Sequence, residues 1–149
     1  MGDDYYSIGI NGKNSEFHAA MGLVNLKHIQ KILEQRKILT EYYDQKLVSS
    51  GLTRPLLPGD LIYNYSYYPV IFETEKQLLK AIKDLQSISV NPRRYFYPSL
   101  NRLPFIVNKT IMPVSESVSS RVLCLPLFND LEKKDIDLIC GQLLKRREE

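Results

Sequence analysis

The stretch Gly9-Ile10-Asn11-Gly12-Lys13-Asn14-Ser15-Glu16 is polar and runs directly into Phe17-His18-Ala19-Ala20-Met21-Gly22-Leu23-Val24. The junction reads as the start of a helix. Ser15 or Asn14 can cap it by accepting a backbone N–H bond, and Glu16 sits favourably in the first turn. The helix that follows carries small and apolar residues on nearly every side, and such a helix expects burial on every side. Few residues precede it to provide that burial. The expectation is a segment from the middle of a larger protein, with its covering surface outside this chain.

The rest of the chain reads as alternating helices and short strands. The first helix is expected from Ser15 to about Val48, with an amphipathic second half. Leu26, Ile29, Leu33, Leu39, Tyr43 and Leu47 recur at roughly helical spacing, opposite Lys27, Lys31, Glu34, Lys37 and Gln45. The stripe keeps no strict heptad, so the expectation is a connecting helix bent near Gly22 or further along. Ser49-Ser50-Gly51 ends it.

Tyr63 to Phe72 is rich in aromatic and β-branched residues and predicts a strand, which Pro69 places at an edge or a bulge. Thr74 caps a predicted helix over 75–85, with Leu78, Leu79, Ile82 and Leu85 on one face. Ile88 to Val90 predicts a short strand, and Asn91-Pro92 breaks it into a loop over 93–104. A short helix or turn over 115–119, a strand over 121–127 and a last helix over 131–147 complete the pattern. In that last helix Ile136, Ile139, Leu143 and Leu144 point inward. A small sheet with helices against one face gives a two-layer α/β (α+β) domain.

Composition narrows the function classes. At 149 residues the chain fits one domain with a real core. The net charge of +3 is scattered, apart from Lys145-Arg146-Arg147, which reads as the solvated end of a helix rather than a nucleic-acid patch. No stretch is long and apolar enough to span a membrane, and no signal peptide is visible. Cys124 and Cys140 lie in apolar runs and read as buried free thiols of a cytoplasmic protein. His18 and His28 lack ligand-spaced partners, so no metal site is expected.

Two segments carry groups with chemistry. The first is the loop with Asn11 and Lys13, which by its residues alone reads rather as a turn with a solvated lysine. The second is Arg94-Tyr95-Phe96-Tyr97-Pro98. Such a cationic and aromatic loop can stack on a nucleobase or sugar and pair with a diphosphate. It can also be an aromatic cluster packed under a proline-rich loop. The Tyr63 to Tyr68 run reads as strand packing.

Asn11 to Leu23 resembles the Asn-x-Arg-(Met/Asn)-Ser/Thr-Glu-x-x-Ala-Ala-(Leu/Met)-Gly-Leu signature of the DegT/DnrJ/StrS family, the pyridoxal-phosphate-dependent sugar aminotransferases. Three later segments are similar to family segments in the same order. Arg94 to Leu100 looks like the aromatic-Pro loop, Val122 to Leu127 like the "(S/C)LPL" strand, and Leu131 to Asp137 like the start of the last helix. The resemblance covers almost the whole chain but only the C-terminal part of a family member.

It implies the small C-terminal domain of the fold-type I aminotransferases: a site loop over 1–15, a connecting helix over 16–48 and an α/β domain over 52–149. It also implies a homodimer, a large cofactor-anchoring domain outside this chain, a nucleotide-sugar substrate, and a place in polysaccharide or antigen biosynthesis. The Schiff-base lysine segment and the aspartate for the pyridine nitrogen have no match here. This chain alone is therefore expected to be inactive and to bind no pyridoxal phosphate, with no catalytic residue of its own.

Within the family, the loop matching Asn11 and Lys13 reaches the cofactor phosphate of the other subunit. Lys13 stands where arginine is usual, keeping the charge and losing the bidentate fork. An amide donor and a cation near a helix N-terminus suit a phosphate. By the same resemblance Arg94, Tyr95 and Tyr97 lie at the entrance of the substrate pocket. Tyr5 and Tyr6 are similar to aromatic residues that precede the site loop. The alternatives are a non-catalytic dimerisation or binding module that pairs with a full-length relative, and a dehydratase-type member with histidine in place of the lysine.

Overall fold

A computed structural model describes residues 11–107 and 109–145. The elements are α1 (Glu16–Leu26), α2 (Ile29–Leu47), β1 (Tyr68–Ile71), α3 (Glu75–Gln86), a 3-10 turn at Leu100–Arg102, α4 (Pro113–Arg121), β2 (Val122–Leu125) and α5 (Lys133–Leu144). β1 and β2 pair antiparallel, with Tyr68 opposite Leu125 and Ile71 opposite Val122. Single-residue bridges extend the ribbon on both edges, Thr53 to Ile71 and Arg93 to Cys124.

Pro69 fits here because it faces Cys124, whose N–H and C=O both turn away to Arg93 at 2.9 and 3.2 Å. The missing proline donor therefore removes no bond from the ladder.

Alternation decides the core. Tyr68, Val70 and Phe72 share one face of the ribbon with Leu123 and Leu125, and all five are buried. Leu39, Tyr43 and Leu47 of α2, Leu78, Ala81 and Leu85 of α3, and Ile136, Ile139, Cys140 and Leu143 of α5 complete the layer against that face. The rings of Tyr43 and Tyr68 stack at 4.5 Å, and the Tyr43 hydroxyl donates to the carbonyl of Pro126 at 3.0 Å. At the rim of the α2–α5 contact, Asp137 accepts from Tyr42 at 2.9 Å and pairs with Lys46 at 2.6 Å. The result is the two-layer small α+β domain that the sequence implies.

Several boundaries differ from the sequence expectation. The single helix over 15–48 is two helices, and the interruption expected near Gly22 or further along falls at Lys27-His28. Lys27 and His28 donate to Val24 and Asn25, three residues back, which tightens and ends α1. No residue of α1 is buried, so no packing holds the two segments in line; Leu26 and Ile29 are exposed. The strand expected over 63–72 begins only at Tyr68. Before it Tyr65 has a φ of 50°, in the left-handed region, and the Asn64 side chain accepts from the Ser66 N–H. Ile88 to Val90 is not a strand: Ile88 and Val90 donate to Leu85, and Ser89 adopts a φ of 62°, so the segment closes α3. Its place beside β2 is taken by Arg93. Leu79 faces solvent and Ala81 takes the inward position in α3, while Cys140 is buried in α5 and Leu144 only partly.

Candidate functional site

The first candidate segment enters α1. Ser15 is the N-cap, as expected; its hydroxyl accepts from the His18 N–H at 3.4 Å, and His18 Nδ1 lies 3.0 Å from that hydroxyl. Asn11 and Lys13 just before the cap are exposed to solvent. So is the apolar surface behind them: Phe17 is 85% exposed, Met21 63% and Leu23 65%. Among the described residues nothing covers α1, and its surroundings are open enough that a Cβ at Gly22 would meet no atom within 4 Å. The loop thus projects a cation and an amide outward, beside an uncovered apolar helix. Tyr5, Tyr6, Gly9, Ile10, Arg146 and Arg147 lie outside the described residues.

The second candidate segment leaves the edge of β2. Arg93 is fixed there by its two backbone bonds to Cys124, and the residues on either side then diverge. Arg94 turns inward, with only 10% of its side chain exposed. Its guanidinium pairs with Glu75 at 2.7 Å, donates to the carbonyl of Ser120 at 3.2 Å and lies 3.5 Å from the Tyr97 ring centroid. Arg94 therefore fastens the loop to α3 and α4, with Tyr97 against its guanidinium.

Tyr95 goes the other way. With Arg93, Tyr67 and the apolar residues Val90, Leu127 and Leu131 it lines a cleft of about 660 Å³ between the β2 edge and α5. The Arg93 guanidinium donates to the Tyr95 hydroxyl. Tyr67 meets Tyr95 edge to face at 5.2 Å, and Tyr95 meets Phe96 at 5.4 Å. The sequence singled out Arg94, Tyr95 and Tyr97, and the structure brings only Tyr95 of these to the cleft. It adds Arg93 and Tyr67, which sequence reasoning missed. No local signal marked them: adjacent residues on an extended, strand-paired backbone face opposite ways, and the pairing of Arg93 with Cys124 is set by the tertiary structure.

The ionisable groups limit the chemistry. Burial pushes the Cys124 thiol at the cleft up to about 11 and the Cys140 thiol up to about 12, so neither is a nucleophile at neutral pH. Every lysine of the chain lies among the described residues and is exposed. Hydrogen bonds donated to Asp137 and Glu132 hold Lys46 and Lys134 above the ordinary lysine range. A Schiff-base lysine needs the opposite shift, through burial or a neighbouring cation. These residues therefore do not fit covalent attachment of an aldehyde cofactor, whereas Asn11 and Lys13 have the donor types that fit its phosphate. Among the described residues no cluster of histidine, cysteine or carboxylate side chains is arranged to hold a metal, and no helix is long and apolar enough to cross a membrane.

Comparison with known proteins gives a consistent picture. The model of the DegT/DnrJ/EryC1/StrS aminotransferase family matches residues 2–144. A dTDP-4-amino-4,6-dideoxy-D-glucose transaminase of Escherichia coli is 35% identical, over 91% of this chain and 39% of the relative. The chain thus spans about two fifths of that relative's length. Among solved structures, a DegT DnrJ EryC1 StrS aminotransferase from Brucella abortus superposes with a TM-score of 0.78 at 24% identity, over 100% of this chain and 40% of that one. The PLP-form of Spr1654 from Streptococcus pneumoniae gives 0.79 at 19% identity, over 90% and 36%. At these identities the superpositions speak for the fold.

Proposed function

This chain belongs to the DegT/DnrJ/EryC1/StrS aminotransferase family, and from that premise we propose that it supplies the C-terminal domain of a pyridoxal-phosphate-dependent transaminase. The complete enzyme moves an amino group from an amino acid, with glutamate the expected donor, to a keto group of a nucleotide-linked sugar. The observation that carries this reading is the family match over nearly the whole chain, together with 35% identity to a sugar-nucleotide transaminase of which the chain spans 39%. The remaining length of such an enzyme is where the cofactor lysine belongs, since no lysine here is buried. Pyridoxal phosphate, when bound there, supplies the electron sink for amino transfer.

In this reading the domain is a contributor to a site in a cytoplasmic homodimer. Asn11 and Lys13 reach the cofactor phosphate of the partner subunit. The loop from Arg94 to Tyr97 forms a wall of the substrate pocket, with Tyr95 toward the ligand and Arg94, against Tyr97, fastening it. The apolar face of α1 is covered by the large domain and the dimer partner. That same uncovered face supports a second reading, a non-catalytic module that dimerises with a longer relative.

The test has two arms. Chain alone is mixed with pyridoxal phosphate and reduced with borohydride; no single lysine should carry a stoichiometric adduct. In the complete enzyme, Asn11→Ala and Lys13→Ala should each weaken cofactor retention about ten- to a hundredfold, the loss of one bond to a charged group. Lys13→Arg should retain it. A specific adduct on the isolated chain, or alanine variants that hold cofactor like the parent, overturns the assignment.

A further inference from the structure

Resting on the nucleotide-sugar reading, we infer that the cleft between the β2 edge and α5 seats the nucleoside diphosphate part of the ligand, with Arg93 as its binding cation. Arg93 is set apart by its partners. Among the described residues Arg54, Arg94 and Arg102 pair with carboxylates, Arg121 bonds backbone carbonyls, and Arg36 bonds the Asn129 amide. Among the described residues the Arg93 guanidinium bonds only the Tyr95 hydroxyl. A guanidinium has five donors in a fixed fork, so one phenol leaves most of them for an incoming oxyanion, held two bonds at a time. Its base is fixed by the two backbone bonds to Cys124, so little main-chain freedom is lost on binding.

The rest of the cleft suits a ring. Tyr67 is 51% exposed beside Tyr95, an aromatic pair at the mouth on which a planar base can stack. The floor is aliphatic, from Val90, Leu125, Leu131 and Ile139. A volume near 660 Å³ falls within the roughly 300–1,000 Å³ typical of small-molecule sites. One carboxylate lines the cleft, that of Asp135, and it already accepts the Glu132 N–H at 3.1 Å at the start of α5.

Calorimetric titration of the full chain with dTDP, thymidine and inorganic pyrophosphate tests this. Saturable dTDP binding is expected, at least tenfold tighter than either part alone. Arg93→Ala should weaken dTDP and pyrophosphate about ten- to a hundredfold with unfolding temperature unchanged. Arg93→Lys should recover only part of the loss, because the fork is gone. Tyr67→Leu should weaken dTDP and thymidine and leave pyrophosphate unaffected. Absence of saturable dTDP binding, or an Arg93→Ala variant that binds dTDP like the parent, overturns the inference. The complete enzyme separates the two claims. Sugar-nucleotide transamination with an unchanged KM in Arg93→Ala sinks this site and leaves the proposed function standing. Arg93-dependent dTDP binding without transamination does the reverse.

Discussion

Removing the Arg94 guanidinium should loosen the loop over 93–104 by a calculable amount. Arg94→Ala deletes the 2.7 Å bond to Glu75, the bond to the Ser120 carbonyl and the contact with the Tyr97 ring. A hydrogen bond to a charged group contributes about 1.5–3 kcal/mol. Glu75 is 40% exposed and rehydrates when its partner goes, so the low end applies. The ring contact adds about 0.5–1 kcal/mol. The sum is about 2–3 kcal/mol, or roughly 5–10 °C in unfolding temperature for a domain of this size. The decisive assay is a double-mutant cycle by urea denaturation, using Arg94→Ala, Glu75→Gln and the pair. Glu75→Gln also removes a favourable charge from the first turn of α3, but that effect cancels in the cycle. A coupling of about 1 kcal/mol is expected. A coupling within about 0.3 kcal/mol of zero, or a single Arg94→Ala variant as stable as the parent, refutes the latch.

Three further outcomes follow from the same geometry. Leu123 is fully buried at the centre of the ribbon, so Leu123→Ala should cost about 3–5 kcal/mol in denaturant melts. Hydrogen bonds from Arg102, the Met112 N–H and Asn101 hold the Glu116 carboxyl down at about 2. The unfolded state then binds the extra proton, so stability present above the ordinary carboxyl range is lost as pH falls through it toward 2; Glu116→Gln should flatten that acid limb of an unfolding-versus-pH curve. Burial raises the hydroxyl pKa of Tyr43 and Tyr68 far above that of a free tyrosine. Above about pH 10 the unfolded chain loses protons that the folded one keeps, so stability should fall with rising pH. Phenolate absorbance should show these two tyrosines ionising only with unfolding, as followed by circular dichroism.

Local signals settled much of this protein in advance. Ser15 and Thr74 are read as caps because their oxygens satisfy helix N–H groups three residues on, and that interaction is contained within a few residues. The apolar spacing of Leu39, Tyr43 and Leu47, and of Ile136, Ile139 and Leu143, marks inward helix faces for the same reason. The motif order from Asn11 to Asp137 was enough to indicate the family. What the sequence did not determine depends on partners distant along the chain. The aromatic run over 63–67 has strand-forming residues but, among the described residues, no strand beside it, so it turns instead. Ile88 to Val90 has a strand composition, but the end of α3 claims its N–H groups. Arg93 and Arg94 are the same residue type side by side. Only the pairing of Arg93 with Cys124, 31 positions later, sends one guanidinium to Glu75 and leaves the other at the cleft. A side chain's role here follows from which face of a paired backbone it occupies, and that pairing exists only in three dimensions.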